Sequence, residues 1–127
     1  MGNEIKMKFK KSDGRKPHEI STDEIKSACC SAFNTTIENF SNTKISNRNV
    51  CRARHAYWII VKKIKLFSQC DIAKEFERTD SNIHQSMDRF KNSMKENNLI
   101  LESFISIGEL LNAKKTINVM AEEITNG

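Results

Sequence analysis

The fold is decided by the stretch from Asn47 to Met94, which reads NRNVCRARHAYWIIVKKIKLFSQCDIAKEFERTDSNIHQSMDRFKNSM. In its first part apolar residues recur at steps of three and four, which predicts an amphipathic helix over about Asn49 to Lys65. The buried face of that helix is expected to hold Val50, Ala53, Tyr57, Ile60 and Ile64. Trp58 lies at the edge of this face and is expected in the core, because a large aromatic side chain at helical spacing is usually a packing residue.

Two further helices follow in the same stretch. Ser68 and Asp71 suit the cap of a short helix carrying Ile72 and Phe76. A tight polar turn is expected from Glu77 to Asp80. The third helix, about residues 81 to 96, has an apolar face at steps of four, three and four, made by Ile83, Met87, Phe90 and Met94. Two helices joined by about four residues form a helix-turn-helix pattern, whose second helix presents its N-terminal residues to base edges. Those residues are Thr79, Asp80, Ser81 and Asn82, with His84, Gln85 and Ser86 next.

Basic charge is concentrated just before this pair of helices. Residues 44–65 hold seven basic side chains and no acid: Lys44, Arg48, Arg52, Arg54, Lys62, Lys63 and Lys65. The whole chain has a net charge of only +5, so location matters more than the total. A dense cationic segment suits a polyphosphate partner, and double-stranded DNA is the natural candidate.

The rest of the chain completes a helical domain. Residues 1–18 have a net charge of +4 and contain Gly14 and Pro17, which predicts a flexible basic arm. Ser21 and Glu24 form a capping box for a helix that ends near Asn34, and Ile37 to Phe40 form a short element packing by both of those residues. With four glycines and one proline in 127 residues, the chain is expected to be all-α. We divide it into the arm, a DNA-binding domain over residues 19–96 and a C-terminal helical extension over residues 97–127.

Other functional classes have little sequence support. The four cysteines, Cys29, Cys30, Cys51 and Cys70, lack the spacing of a zinc site and are expected to be buried thiols. No glycine-rich phosphate loop can be built from the four glycines. We therefore expect no metal, no cofactor and no enzymatic activity. No apolar run of about 18 residues and no secretory signal is present, so we expect a cytoplasmic protein without a membrane partner.

The order of residues also resembles a known family. The stretches VCRARHAY from Val50 to Tyr57, DIAKEF from Asp71 to Phe76 and RTDSNI from Arg78 to Ile83 are similar to the C-terminal DNA-binding domain, domain IV, of the bacterial replication initiator DnaA. In that family an Arg-Pro-Arg-Gln-type helix precedes a Glu-Ile-Gly-x-x-Phe helix and a Gly-Gly-Arg-Asp-His-Thr-Thr-Val turn. The resemblance covers about residues 20–94 and stops there.

The resemblance implies a Trp-repressor-like helical domain with its recognition helix in the major groove and its basic loop at the adjacent minor groove. The side chains expected to contact bases are Arg54, His55, Thr79, Asp80, Ser81 and Asn82. Those expected to contact phosphates are Lys44, Arg48, Arg52, Lys62, Lys63 and Gln69.

This chain departs from the family pattern at two places. Glu77 and Arg78 replace the paired glycines, and helix phase suggests that the turn is one residue shorter. If the turn is one residue shorter, Thr79 and Asp80 align with the family's Asp-His pair, and Ser81 and Asn82 align with its two threonines. If no residue is missing, Asp80 aligns with the aspartate and Ser81 with the histidine. Ile45 and Ser46 replace consecutive basic residues of the loop. The target sequence is therefore not expected to be that of the family.

These observations predict a sequence-specific double-stranded DNA-binding protein acting in replication initiation control or transcription regulation. The ATPase domains of an initiator are missing, which is typical of a free-standing version such as a phage or mobile element encodes. The alternative is a protein-interaction module that keeps the fold and binds a replication or regulatory partner. Residues 99–124 are strongly apolar and, besides covering the core, offer a surface for a homodimer or another protein.

Overall fold

The computed structural model describes residues 15–127, and this part of the chain contains helices and no strand. A 3-10 turn at Pro17–Glu19 precedes seven α-helices within the described residues. They are α1 (Thr22–Ala32), α2 (Ile37–Ser41), α3 (Arg48–Ile64), α4 (Gln69–Phe76), α5 (Asp80–Glu96), α6 (Asn98–Leu110) and α7 (Lys114–Asn126). The all-α prediction is confirmed for this range.

The predicted arm lies mostly outside the described residues, which begin at Arg15. The backbone N–H of Arg15 donates to the carbonyl oxygen of Asn112 at 2.6 Å, and its guanidinium lies 2.6 Å from Glu24. The start of the described chain is thereby attached to α1 and to the turn between α6 and α7.

Side-chain caps explain where the helices begin. Ser21 accepts a hydrogen bond from the Glu24 N–H while Glu24 accepts one from the Ser21 N–H, so the predicted capping box is confirmed. Ser68 and Asp71 make the same reciprocal pair at the start of α4. Thr79 accepts a hydrogen bond from the N–H of Asn82, so α5 begins at Asp80. Each of these bonds satisfies a backbone donor that the first helical turn leaves unpaired.

One hydrophobic core joins all seven helices. Trp58 is fully buried at its centre, as predicted, and Phe76 meets it edge-on with ring centroids 5.3 Å apart. The four apolar residues predicted for α5 are all buried. Phe104 of α6 and Ile117 of α7 belong to the same cluster, so the extension covers the core of the preceding helices. The prediction for α2 was half wrong, because Phe40 is buried but Ile37 is 43% exposed.

Close packing holds the last two helices together. A Cβ added at Gly108 of α6 would lie 3.0 Å from the Cβ of Ile117 and from the Cα of Lys114 on α7. The absence of a side chain therefore allows the two backbones to approach. Through this pair of helices α6 reaches α1 and α7 reaches α5, which closes the bundle around α3.

The turn between α4 and α5 consists of Glu77, Arg78 and Thr79. Glu77 adopts a left-handed conformation, φ 55° and ψ 49°, and the Arg78 N–H donates to the carbonyl oxygen of Ala73 at 2.9 Å. This is the geometry that glycine usually provides at a helix C-terminus, so a glutamate here carries backbone strain. The turn is one residue shorter than predicted, because Asp80 already belongs to α5.

Candidate nucleic-acid interface

The N-terminal half of α5 presents an open polar face. Ile83, Met87 and Phe90 point into the core, so the helical repeat of 100° per residue turns Ser81 and Gln85 to the opposite side. Asp80, Ser81, His84 and Gln85 are exposed, whereas Ser86 is buried. The first two turns of this helix therefore offer these four side chains to a ligand.

Two of the predicted base-contacting residues have structural partners instead. Thr79 uses its hydroxyl to cap α5, and Asn82 is half-buried with its Oδ1 accepting a hydrogen bond from Arg78 at 3.2 Å. The Arg78 guanidinium also lies over the Trp58 ring, 5.8 Å from its centroid. These contacts fix the turn and the start of α5.

On one flank of α5, three helices bring polar side chains together. The Oε1 atom of Gln69 accepts a hydrogen bond from the Lys62 ammonium at 3.3 Å and lies 3.3 Å from Nδ1 of His84. Nε2 of His84 in turn lies 3.3 Å from Asp88. Lys62 and Gln69 are two of the predicted phosphate contacts, and these bonds place them directly beside the exposed face of α5. Lys63, next in the chain, is exposed and lies 3.4 Å from Glu123 of α7.

The other flank of α5 carries arginines around His55. The His55 ring packs against Trp58 and Phe90, with centroid distances of 5.1 and 5.9 Å. Burial, and then the nearby charges of Arg78 and Arg89, lower the pKa of His55 to about 4. His55 is therefore neutral near pH 7, and its ring is half-buried. The positive charge on this flank comes from Arg78 and Arg89.

The position of Arg54 disagrees most clearly with its predicted role as a base-contacting residue. Its Nε donates to the carbonyl oxygen of Phe40 at 3.0 Å, and its Nη1 donates to that of Ile45 at 2.8 Å. Its Nη2 donates to the carbonyl oxygens of Asn39 and Asn42 at 3.0 and 2.7 Å. The side chain is 1% exposed and burial lowers its pKa, although a guanidinium keeps its charge. The base-reading role predicted for Arg54 is therefore wrong, and the residue holds the loop before α3.

That loop and the first turns of α3 carry the remaining predicted phosphate contacts. Lys44 and Arg48 are exposed, and Arg52 is half-buried one turn further along α3. From the rise of 1.5 Å per residue, Arg48 and Lys62 are about 21 Å apart along the helix axis. The acid-free segment therefore provides two separate basic areas at the two ends of α3.

Acidic side chains also face this surface. Asp80 and Asp88 are exposed on α5, and Glu77 is exposed in the turn. Asp80 lies in the first turn of its helix, where the helix dipole stabilises a carboxylate. These groups reduce the positive potential locally and would disfavour a phosphate placed directly above them.

The orientation of α5 therefore changes which of the predicted residues can contact DNA bases. Among the base-contacting set, Asp80 and Ser81 are exposed, Thr79 and Asn82 have the structural contacts described above, and Arg54 and His55 are covered. The sequence pattern placed His84 and Gln85 only next after the base-contacting residues, and it did not include Arg78 or Arg89. The signal that could have found His84 and Gln85 is the apolar face of α5, which fixes the direction of every other side chain on that helix.

The cysteines and acidic residues form no alternative centre in the part of the chain that the structure describes. Cys29 and Cys30 are buried as predicted, but Cys51 is half-buried and Cys70 is exposed, so the prediction for these two was wrong. Within residues 15–127, no group of three or more histidine, cysteine or acidic side chains is placed to hold a metal ion. In the same range, no helix has both the length and the apolar character needed to cross a membrane.

Comparison of the chain with protein-family models, with curated proteins and with solved structures found no match.

Proposed function

We propose that this protein binds double-stranded DNA in a sequence-specific manner, with the N-terminal half of α5 in the major groove. The observation that carries the proposal is the exposed polar face of α5 with basic groups on both flanks. The major groove is about 12 Å wide and admits one helix, so phosphates of both strands lie on either side of it. Basic side chains on both flanks match that arrangement.

The proposal assigns different roles to exposed and flanking residues. Ser81, His84 and Gln85 contact base edges, and Asp80 is placed to accept a hydrogen bond from a cytosine amino group. The flanking groups contact phosphates, which set the position of the protein on the duplex without reading its sequence. They are Lys62, Lys63 and Gln69 on one side and Arg89 on the other, with Lys44, Arg48 and Arg52 in the second basic area at the start of α3.

By its resemblance to the DnaA C-terminal domain, we assign the protein to a Trp-repressor-like helix-turn-helix class. The proposed process is control of replication initiation or transcription, without ATP hydrolysis. In this proposal α4, the three-residue turn and α5 form the motif. The loop that Arg54 holds carries Lys44 towards the neighbouring minor groove, with fewer basic contacts than the family has.

The test is fluorescence anisotropy of a labelled duplex titrated with the protein at several salt concentrations. With about five phosphates neutralised, log affinity should fall with log salt at a slope of about −4 to −5. Lys62→Ala should reduce the steepness of this slope by about one and weaken binding to all duplexes alike. Lys115→Ala, an exposed lysine at the start of α7, is the matched control and should change the slope less.

A second candidate is favoured by the exposed carboxylates of Asp80, Asp88 and Glu77. A protein-interaction module that keeps this fold and binds a replication or regulatory partner would use acidic and basic groups together. Absence of measurable duplex binding even at low salt would reject the DNA proposal and support this one.

A further inference from the structure

An open groove of about 680 Å³ runs along α5 beside the proposed DNA-binding face. It is bounded by the C-terminal end of α3, by α5 and by the second half of α7. Its floor is apolar and consists of Ile59, Met87, Met120 and Ile124. Methionine side chains are flexible and polarisable, so a floor of this composition can adapt to different apolar side chains.

The rim of the groove carries excess positive charge. Four lysines line it, Lys62, Lys63, Lys91 and Lys95, against two carboxylates, Asp88 and Glu123. Asp88 lies beside His84, and Glu123 beside Lys63. Within residues 15–127 no side-chain carboxylate forms an ion pair with Lys62, Lys91 or Lys95. Lys95 does donate a hydrogen bond to the oxygen of Gly127 at 3.1 Å, and an ammonium has two further donors for an acidic ligand.

We propose that this groove binds an acidic amphipathic helix of a partner protein. An apolar floor between cationic rims is complementary to a helix with apolar residues on one face and carboxylates at its edges. From His84 to Lys95 the groove extends about 16 Å along α5, which corresponds to about three turns of a bound helix.

Duplex DNA is a poor occupant for the far end of this groove. By helical rise, Lys95 lies about 22 Å from the start of α5, beyond the turns that would enter the major groove. The apolar floor also provides no hydrogen-bond donors for phosphate oxygens. The two ligands nevertheless share residues, because Lys62 and His84 belong both to the groove and to the proposed DNA-binding face. Binding of the acidic helix would therefore compete with DNA.

The experiment uses the full chain and a fluorescein-labelled peptide of about 12 residues, long enough for three helical turns. The peptide has leucine at helical i, i+3, i+4 and i+7 positions and glutamate on the remaining face. A scrambled peptide of the same composition is the control ligand. We expect the amphipathic peptide to bind at least about tenfold more tightly than the scrambled one.

Two double variants with the same change in net charge locate the binding site. Lys91→Glu with Lys95→Glu should weaken peptide binding about tenfold, whereas Lys114→Glu with Lys115→Glu, outside the groove, should have a much smaller effect. Equal binding of the two peptides, or equal loss in the two double variants, would overturn the proposal. Weaker duplex binding with unchanged peptide binding in the first variant would assign the groove to DNA and would also overturn it.

A competition measurement tests the shared residues and is the one arm that rests on the proposed function. The amphipathic peptide should displace a labelled duplex from the protein, and the scrambled peptide should not. Simultaneous binding of peptide and duplex would contradict the overlap at Lys62 and His84. If the protein binds no duplex, the direct peptide titrations still decide whether the groove binds an acidic helix.

Discussion

The middle and the C-terminal end of the acid-free segment, residues 44–65, both carry basic side chains, but these have different physical roles. In the middle, Arg54 is buried and donates four hydrogen bonds to backbone carbonyl oxygens of α2 and the loop that follows it. Near the C-terminal end, Lys62 is exposed and its ammonium donates to Gln69. A count of basic residues treats these side chains alike. The position of a cation relative to the core therefore decides whether it stabilises the fold or remains available to a ligand.

The largest expected effect is on stability at Arg54. Arg54→Met keeps much of the side-chain volume but leaves the carbonyl oxygens of Asn39, Phe40, Asn42 and Ile45 without their charged donor. We expect the free energy of unfolding to fall by about 3 kcal/mol, because buried acceptors without a partner are costly. Urea denaturation followed by Trp58 fluorescence measures this change.

The matched variant near the C-terminal end of the segment is Lys62→Met. Lys62 is exposed, so its replacement should change the free energy of unfolding by less than about 0.5 kcal/mol. Similar losses in the two variants would contradict the distinction between a structural and an available cation.

A smaller effect is expected from His55, which follows Arg54 in α3. Its pKa is lowered to about 4 in the folded protein, from an ordinary value of 6.5. The unfolded chain therefore binds a proton first as the pH falls, so the contribution of His55 is complete above pH 6.5 and is lost towards pH 4. Allowing for partial exposure, the loss is on the order of 2 kcal/mol.

His55→Phe provides the control for this pH dependence. Phenylalanine keeps an aromatic ring between Trp58 and Phe90 but cannot titrate. Denaturation of the variant should show a flatter stability profile between pH 6.5 and 4. Glu24, whose pKa is lowered to about 2 by Arg15 and by Ser21, titrates mainly below this window. An unchanged slope in the variant would show that other groups cause the loss.

The smallest effect concerns the turn that sets α5 beside the Lys62 end of the segment. Glu77→Gly should raise the free energy of unfolding by about 1 kcal/mol, because glycine adopts the left-handed conformation without strain. Glu77→Ala removes the same carboxylate but keeps the Cβ, so it should not give this gain. Thermal unfolding of both variants separates backbone strain from charge. Equal stabilisation by alanine and glycine would attribute the effect to the carboxylate.

Local sequence patterns predicted the helices well because their causes are local. The capping boxes at Ser21 and Ser68, the buried face of α5 and the burial of Trp58 all follow from spacing and side-chain chemistry. The role of Arg54 could not be predicted in this way. Its acceptors are backbone carbonyl oxygens, which any residue type supplies, and the path of the loop brings them together.

The candidate site was predictable as a region but not residue by residue. The apolar face of α5 fixes which side of the helix is exposed, and its start at Asp80 makes Thr79 the cap. Asn82 turns towards Arg78, while His84 and Gln85 point outwards. Residues such as Arg89 lie far from the acid-free segment in sequence and reach the interface only through the packing of α5 on α3.

The most direct test of the proposed function is selection of bound duplexes from a random pool, performed with the protein and with Gln85→Ala. We predict that the protein enriches one sequence. The variant should lose the base preference at one or two positions of that sequence, because a glutamine amide can pair bidentately with adenine. That pairing should contribute about 1 to 3 kcal/mol of discrimination against other bases. Asn92→Ala, two turns further along α5, should select the same sequence as the protein. No enriched sequence, or an unaltered one in Gln85→Ala, would contradict base recognition by the start of α5.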